Sequence, residues 1–430
     1  MGSSSRRSTR LFARRRQGGI AALVVTVLLF FAMVLGIGFV NRSLVFEQRA
    51  SANQYRSTQA FEAAQGGLEW ALAQLATDRP VGEDCLATAE PSGVPFRERY
   101  LVRGSLTGRD VPTTYAVAGM TRPLQPTCVQ AAGLWNCNCP ASGPAMLAVP
   151  AQAPAPAFSV TFEDGGRPGL VRAVVTGCSA LGGACFPAVA DVDATSRVQA
   201  LFGWLPALRT APAAPLTVRG AIDANEAPFG AHNRHAASSG LALHAGGPVA
   251  ASRARLDVPA GGSSAGAVAA LDDALASLDE PRFFARYFGL DQERWARQPS
   301  VQRLVCREGC ADSLQAAADA TRGPTLIHVD GDLQLDGPLT LGSPQRPLLV
   351  VATGNVRLSG AVALTGVIYG SQAILWSGPG LGARVQGALI GAAGYSGDGT
   401  PELVYDADVL NRLKAETGTF VRVNGSWRDF

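Results

Sequence analysis

One serine motif in the sequence has the spacing needed for nucleophilic catalysis. Residues 262–266 read G-x-S-x-G with Ser264 at the centre, which is the pattern of a nucleophile elbow. An acid and a histidine follow in the order of a catalytic triad, from Asp272, Asp273 or Asp279 and then from His328. The motif lies in a stretch of Gly, Ser and Ala that is typical of a linker, without a doubly wound sheet around it. We therefore predict no catalytic residue and no enzymatic activity.

Histidines and acids form only weak metal-ligand patterns. His232 and His235 are close in sequence, but no carboxylate or cysteine supports them, so solvated histidines are favoured. The stretches "VDGD" (329–332) and "SGDG" (396–399) carry acids that could bind calcium, but neither is a twelve-residue EF-hand loop. Neither a phosphate-binding P-loop nor a dinucleotide fingerprint is present in the sequence. The sequence predicts no metal site and no cofactor.

The cysteines favour disulfide bonds. Their number is eight, and an even count in an exported chain indicates cystines. Two pairs join near neighbours, Cys178 with Cys185 and Cys306 with Cys310. The other four allow three pairings: Cys85, Cys128, Cys137 and Cys139. The "CNC" at 137–139 is a possible zinc or copper ligand, but it lacks a C-x-x-C repeat and a nearby histidine.

An apolar segment near the N-terminus predicts a membrane span. The run from Ile20 to Val40 contains about twenty uncharged residues, which is enough to cross a bilayer and longer than the core of a secretory signal. Residues 1–19 contain six arginines and no acid. By the positive-inside rule this end stays cytoplasmic, and everything after Arg42 is exported.

The next segment, 42–76, predicts a continuation of the same helix. It has no proline and is rich in helix formers. One apolar stripe recurs at three- and four-residue steps: Phe61, Ala64, Leu68, Leu72 and Leu75. The pair Gly66-Gly67 indicates either close packing against a globular head or a helix that ends near Gln65. The continuing apolar spacing favours packing.

The N-terminal segment resembles the leader of type IV prepilins, because a basic stretch ending in Gly18-Gly19 directly precedes the apolar helix. The resemblance implies cleavage between Gly19 and Ile20 by a prepilin peptidase and methylation of the new N-terminus. The leader residues alone also fit a plain single-pass anchor.

Two further regions resemble PilX-type minor pilins. After the span come Glu47 and the string A-F-x-A-A-x-x-G-L, which occupies 60–68. The C-terminal half carries "VDGDL", "GSPQRPLLVV", "VYDADVL" and "FVRVNGSWRDF", which are similar to segments of the same family. Counting from Ile20, the fifth residue is Val24, where major pilins carry a glutamate that neutralises a neighbour's N-terminus. Its absence implies a subunit that starts a filament rather than one that fills it.

The resemblance implies a minor pilin that helps to initiate type IV pilus assembly and sits in the tip complex. Implied partners are other minor pilins, the major pilin, a pilus-tip adhesin, prepilin peptidase and inner-membrane lipid. The protein would lie in the bacterial inner membrane before assembly and at the extracellular pilus tip afterwards. The alternatives are a type II secretion pseudopilin and a membrane-anchored envelope adhesin.

Charge argues against a nucleic-acid partner. The formal net charge is +3, and removing the six leader arginines leaves 31 basic against 34 acidic residues, or −3. A mature chain this close to neutral lacks the basic footprint that phosphate backbones require.

We predict an α+β fold, with a long pilin helix, a pilin-like β-sheet head and a β-solenoid-like C-terminal region that holds a helical insertion. Short strands separated by Gly-Asp, Gly-Asn and Ser-Gly corners favour the solenoid, although an ordinary β-sandwich also fits. In the head, "ERYLVRGSL" and "TTYAVAGM" are expected to pair, as are the two halves of 157–178 around Asp164-Gly165-Gly166. The predicted segments are leader 1–19, membrane helix 20–40, amphipathic helix 41–76, head 77–210, first coils 211–263, helical insertion 264–322, solenoid-like region 323–405 and tail 406–430.

Overall fold

A computed structural model describes residues 20–90, 93–103, 110–148, 155–181, 185, 194–224, 226–306 and 310–429. Its fold is α+β, with one long N-terminal apolar helix followed by a mostly β region. The chain divides into two compact units at Gln59 and Ala60.

The first element, helix α1, spans Ile20–Leu75 without interruption. Its 56 residues give a length of about 84 Å at 1.5 Å per residue. Alanine and leucine are the commonest residues of the helix, and proline, which would break the backbone hydrogen-bond ladder, is absent from it. The helix continues past Gly66 and Gly67, so it does not end near Gln65.

The head combines short peripheral strands with one antiparallel sheet. Its elements are β1 (Pro80–Val81), β2 (Val94–Pro95), α2 (Phe96–Tyr100), β3 (Leu101–Arg103), β4 (Asp110–Pro112), β5 (Thr114–Val117), β6 (Met120–Pro123), β7 (Thr127–Ala131), β8 (Leu134–Asn138), β9 (Ala157–Asp164), β10 (Leu170–Cys178) and β11 (Thr195–Pro206). In the main sheet β8, β7, β9, β10 and β11 lie side by side in that order. The last 16 residues of α1 pack on this sheet, which supplies the head with its hydrophobic core.

One of the two predicted head hairpins is confirmed and the other is wrong. Strands β9 and β10 pair antiparallel on either side of the Asp-Gly-Gly turn, with Val171 opposite Asp164. The segments "ERYLVRGSL" and "TTYAVAGM" do not pair with each other, because residues 98–100 are helical and the strands after them form two separate hairpins, β3 with β4 and β5 with β6. The Ala118-Gly119 turn, with positive φ at both residues, closes β5 on β6 and leaves no strand free for the predicted partner.

The C-terminal half begins at Leu216 and is built from short strands and short helices. Its elements are β12 (Leu216–Val218), β13 (Ile222–Asp223), β14 (Gly230–His232), β15 (Leu243–Ala245), β16 (Val249–Ala250), β17 (Arg255–Asp257), β18 (Val268–Ala269), α3 (Asp273–Ala276), α4 (Glu280–Phe288), α5 (Gln292–Ala296), β19 (Val301–Val305), α6 (Ala311–Asp319), β20 (Thr325–Asp330), β21 (Leu333–Asp336), β22 (Leu339–Leu341), β23 (Leu348–Ala352), β24 (Val356–Ser359), β25 (Val362–Gly370), β26 (Ile374–Ser377), β27 (Arg384–Gly391), β28 (Tyr395–Gly397), β29 (Glu402–Val404), α7 (Ala407–Glu416), β30 (Gly418–Arg422) and β31 (Arg428–Asp429). Two 3-10 helices, Ala236–Ser238 and Ser264–Ala267, lie within it.

Strands β12 to β29 form two parallel sheets, and from β23 to β29 consecutive strands belong to the two sheets in alternation. In one sheet β19, β20, β23, β25 and β27 lie side by side, and in the other β21, β24, β26 and β28 do. The repeat therefore advances by one strand in each sheet, and apolar residues stack on their counterparts, as with Val350, Ile368 and Leu389. Parallel sheets are stable when both faces are covered, which explains the runs of Val, Ile and Leu in these strands.

The order of the stack differs from the order of the chain. Strand β12 pairs with β27, placing Leu216 opposite Leu389, and on its other side β12 pairs with β15. Strand β12, the first of the C-terminal half, therefore lies against a strand near its end, and Leu216 precedes its partner Leu389 by 173 positions in sequence. In the sequence, helices α3 to α5 connect β18 to β19. These two strands lie at opposite ends of the stacked strands in the larger sheet.

Two apolar layers stabilise this half. One core lies between the sheets and includes Leu216, Ile368 and Trp376, all with exposed fractions of zero. The second covers the opposite face of the larger sheet, where Phe284, Phe288 and Trp295 from α4 and α5 pack with residues of α7. The four aromatic residues of the segment "FFARYF" (283–288) thus pack in the interior, and Phe284 stacks on Phe288 with ring centroids 4.2 Å apart.

Two of the predicted segments differ from the structure. The helical insertion 264–322 contains α3 to α6 but also β18 and β19, which pair with β15 and β20. The tail 406–430 is an integral part of the fold, because β30 pairs antiparallel with β11 and extends the sheet of the head. Strand β30 has the sequence "GTFVR", which contains only two large apolar residues. Its hydrophobic pattern alone therefore does not distinguish it from a loop.

We predict that Ile368→Ala destabilises the C-terminal half by about 2–5 kcal/mol, because it removes a fully buried side chain between the sheets. Leu375→Ala is the matched control, since Leu375 is half-buried and its strand neighbours Arg357 and Ser396 are polar. Urea unfolding of the full-length protein measures both. Equal midpoints for the two variants would contradict the assigned orientation of these strands.

Candidate functional site: the N-terminal helix

The first part of α1 is an exposed apolar rod. Large apolar side chains from Leu23 to Phe46 are between 46% and 77% exposed on all sides of the helix. Within the described residues, one helix has the length and composition to cross a membrane, and it is this one. Such exposure is unfavourable in water and matches a helix surrounded by lipid. The observation is consistent with a membrane anchor.

The predicted processing and assembly residues lie at the start of α1 and along the rod. Gly19 lies outside the described residues, whereas Ile20 is the first residue of α1. Val24 lies on the rod and is 49% exposed, and Glu47 is also exposed. No described contact tests their predicted roles, which stay predictions.

The second part of α1 buries one stripe in the head. Ala60, Ala64, Leu68, Ala71 and Leu75 are at most 1% exposed and recur every three or four residues. Of the predicted stripe, Ala64, Leu68 and Leu75 lie at its centre, whereas Phe61 and Leu72 are half-buried at its edges. The centre is richer in alanine than the sequence suggested because the sheet approaches the helix closely.

Glycines permit this close approach. A Cβ on Gly67 would lie 2.6–2.8 Å from the ring of Phe158 and the side chain of Val175. A Cβ on Gly177 of β10 would clash with the backbone of Ala60 and Ala64. Gly66, by contrast, has open space around it. Close packing, rather than a helix end, is the reason for glycine at 67.

The C-terminal segment also contacts α1. Arg422 forms an ion pair with Glu69 at 2.6 Å, and Trp427 packs edge-to-face on Phe61 with ring centroids 6.5 Å apart. Ser426 Oγ accepts a hydrogen bond from the Leu201 amide and so holds this segment to β11. Sequence reasoning did not find these contacts, since the resemblance at "FVRVNGSWRDF" gave no partner for the segment.

All eight cysteines form disulfides. The two near-neighbour pairs, Cys178–Cys185 and Cys306–Cys310, are present as predicted. The open choice among the remaining four is resolved as Cys85–Cys139 and Cys128–Cys137. Cys128 and Cys137 are direct partners in the β7–β8 hairpin. The two cysteines of "CNC" thus take part in two different disulfides. The bond from Cys139 to Cys85 ties the segment after α1 to the end of the β7–β8 hairpin.

The serine, acid and histidine of the G-x-S-x-G motif lie far apart. Ser264 precedes β18 and His328 lies in β20, and six strand spacings of about 4.8 Å separate these strands, about 29 Å in all. Asp272 instead accepts a hydrogen bond from His244 at 2.6 Å, which holds the pKa of Asp272 below its usual range. Asp279 caps α4 through the Arg282 amide. These residues do not form a triad.

The two histidines at 232 and 235 are partnered rather than free. His232 Nε2 lies 2.5 Å from a carboxylate oxygen of Glu402, and its Nδ1 lies 3.6 Å from Asp257. His235 lies against the ring of Tyr405. Among the residues that the structure describes, no three or more His, Cys, Asp or Glu side chains cluster as metal ligands. His232 of β14 and Glu402 of β29 join two neighbouring strands that are distant in sequence, a contact that the sequence could not indicate.

Comparison with known proteins gives a distant structural likeness. No family model matches the chain, and no curated protein matches it. Among solved structures, it is similar to the competence-associated pilin ComZ from Thermus thermophilus, at 13% identity and a TM-score of 0.21, with 87% of this chain and 97% of that chain covered.

We predict opposite effects for the two adjacent glycines of α1. Gly67→Ala should destabilise the head by about 1–3 kcal/mol, because the added methyl overlaps Phe158 and Val175. Gly66→Ala should stabilise it by up to about 1 kcal/mol, because alanine is the better helix former and meets no neighbour. Thermal unfolding of the full-length protein in detergent measures both changes. Two variants that shift in the same direction would contradict the packing described.

Proposed function

We propose that this protein is a PilX-type minor pilin that helps to initiate type IV pilus assembly and resides in the pilus tip complex. The observation that carries the proposal is α1: one unbroken helix whose first part exposes apolar side chains and whose last 16 residues are buried in an antiparallel sheet. A helix of this kind fits lipid before assembly and a bundle of similar helices afterwards. The leader and the A-F-x-A-A-x-x-G-L string support the finer assignment.

The proposed mechanism is assembly rather than catalysis. The helix is held in the inner membrane, and its release follows cleavage between Gly19 and Ile20 by prepilin peptidase. The helix then packs among those of other minor pilins and the major pilin, and a tip adhesin joins the complex. We propose no enzymatic activity, in keeping with the separation of Ser264 from His328.

We further propose that the two parallel sheets of the C-terminal half form a β-solenoid. The stacked registers support this interpretation, since β23, β25 and β27 stack in parallel in one sheet while β24, β26 and β28 stack in parallel in the other. A sandwich built from hairpins would place consecutive strands antiparallel in one sheet. The solenoid gives the tip a rigid body beyond the pilin-like head.

Two other functions share most of these features. A type II secretion pseudopilin has the same type of leader and can lack the acid at the position of Val24. An envelope adhesin would use α1 as a permanent anchor. The first is distinguished by secretion-system genes beside this one, and the second by a leader that is never removed.

Processing is tested by substitution of the two leader glycines. Gly19→Ala should block cleavage, because the peptidase recognises the glycine that precedes the scissile bond, and the precursor should accumulate in the inner membrane. Gly18→Ala is the matched control and should be cleaved. Immunoblots of membrane fractions separate precursor from product by mobility. Cleavage of Gly19→Ala at the normal rate would refute prepilin processing.

Position in the filament is tested by immunogold labelling of surface pili. We expect gold at one end of each filament, because Val24 offers no carboxylate to the N-terminus of a subunit that would follow. A Val24→Glu variant gives the control for this reasoning and should appear at additional positions along the filament. Gold spread along wild-type pili would rule out a tip role.

A further inference from the structure

The stack of strands in the C-terminal half is covered at one end and open at the other. At the covered end, helix α6 lies against β19 to β22, and its buried face includes Leu314, Ala317 and Ala318. At the open end, β17 and β18 are the last strands of the larger sheet and β16 is the last strand of the smaller one. The last unit of a stack needs a cover, because its apolar residues otherwise face water.

The apolar residues of the open end are incompletely buried. This end consists of residues 249–269, all of which the structure describes. Six of its apolar residues contact the core between the sheets but remain partly exposed: Val249, Ala251, Ala254, Leu256, Val258 and Val268. A further layer of protein on this end would complete their burial.

The outer side of β17 has backbone groups that are available for pairing. Strand β17 consists of Arg255, Leu256 and Asp257 and pairs in parallel with β14. The Arg255 amide donates to the Phe229 carbonyl, and the Asp257 carbonyl accepts from the Asn233 amide, so both residues bond towards β14. Because successive residues of a strand bond to opposite sides, the amide and carbonyl of Leu256 point away from β14. Within the described residues, neither group has a backbone partner on that side.

Opposite charges flank Leu256 on the outer face of the sheet. The Leu256 side chain packs on the core, so the side chains of Arg255 and Asp257 project from the other face. There Arg255 forms an ion pair with Glu402, and an oxygen of Asp257 lies 2.6 Å from Arg234 Nη2. The side chain of Arg255 is 59% exposed and that of Asp257 is 32% exposed, so both are accessible to a further partner.

From this arrangement we infer that the open end binds a second copy of this chain, with the two β17 strands antiparallel and centred on Leu256. In this pair the two Leu256 residues exchange both backbone hydrogen bonds, and Arg255 of each copy lies directly opposite Asp257 of the other. Opposite charges at directly opposed positions stabilise an antiparallel pair, and like charges destabilise it. Centring the pair on Arg255 or on Asp257 would oppose like charges, so the charges select one register.

A second copy is the occupant that these residues specify. A two-fold interface requires a surface that is complementary to itself. The order Arg-Leu-Asp becomes Asp-Leu-Arg when it is read from the opposite direction, and this is its own charge complement. The same two-fold relation brings two open ends together, so that the partly exposed apolar residues of each face the other. The pairing uses no residue of α1 and does not depend on the proposed role in pilus assembly.

The test compares the self-association of the full-length protein in detergent with that of two charge variants. Arg255→Asp sets two acids against each other in both cross-strand pairs, and Asp257→Arg sets two arginines there. Each variant alone should dimerise about tenfold more weakly than the wild type, because like charges are opposed twice. An equimolar mixture of the two variants should form heterodimers as readily as the wild type forms homodimers, since every pair again joins opposite charges. Sedimentation at several protein concentrations measures each dissociation constant.

Arg357→Asp is the matched control. Arg357 lies on β24, which is paired on both sides, and its side chain is 52% exposed and forms an ion pair with Asp332. The substitution makes the same change of charge away from the open end and should leave dimerisation unchanged. Circular dichroism establishes that each variant is folded.

A second route does not depend on the charge variants. A mixture of Arg255→Cys and Asp257→Cys should form a disulfide-linked heterodimer on air oxidation, because directly opposed residues have a Cα spacing that a disulfide can bridge. Pairing Arg357→Cys with Asp257→Cys is the control and should give no linked heterodimer.

Three results would overturn the inference. A wild-type protein that stays monomeric at every concentration would show that the charges of this short strand protect the edge against pairing. Dimers that both charge variants leave unchanged would place self-association on another surface. Folded charge variants that fail to associate in the mixture, together with cysteine variants that fail to link, would contradict the antiparallel register.

Discussion

The contact between the alanine-rich stripe of α1 and the antiparallel sheet is the interaction on which the rest of the molecule depends. The buried stripe from Ala60 to Leu75 joins the helix to the body of the protein through apolar packing. Gly67 and Gly177 set how closely helix and strands approach, because a methyl group at either position overlaps its neighbours. This continuous helix therefore has two parts of different chemistry. The first part is apolar on all sides, and the second buries one stripe in the core of the head.

The C-terminus completes the body that holds the helix. Strand β30 extends the head sheet beside β11, and Arg422 and Trp427 contact α1 directly. In the C-terminal half, β12 lies against β27, so the first strand of this half packs on a strand near its end. Both pairings join segments that are far apart in sequence. The disulfide Cys85–Cys139 adds a covalent tie directly after the helix.

The sequence predicted those features that local pattern determines. The extent of α1 followed from composition and apolar spacing, and the β9–β10 hairpin followed from its Asp-Gly-Gly turn. The two short disulfides followed from proximity along the chain. The features that it did not predict are all long-range. The pairing of Cys85 with Cys139, the return of β30 to the head and the contact of His232 with Glu402 depend on which segments meet in space, about which periodicity carries no information. The mistaken hairpin between "ERYLVRGSL" and "TTYAVAGM" arose because residues 98–100 are helical and because β3 pairs with β4 and β5 with β6, neither of which the alternation suggested.

We propose that α1 leaves the membrane as a processed helix and enters a filament. Mass spectrometry of the native protein, recovered from pili sheared off the cell surface, tests this claim most directly. We expect an N-terminal peptide that begins with methylated Ile20. Protein that is absent from sheared pili, or that still carries residues 14–19 there, would contradict the account and leave a tethered envelope protein in its place.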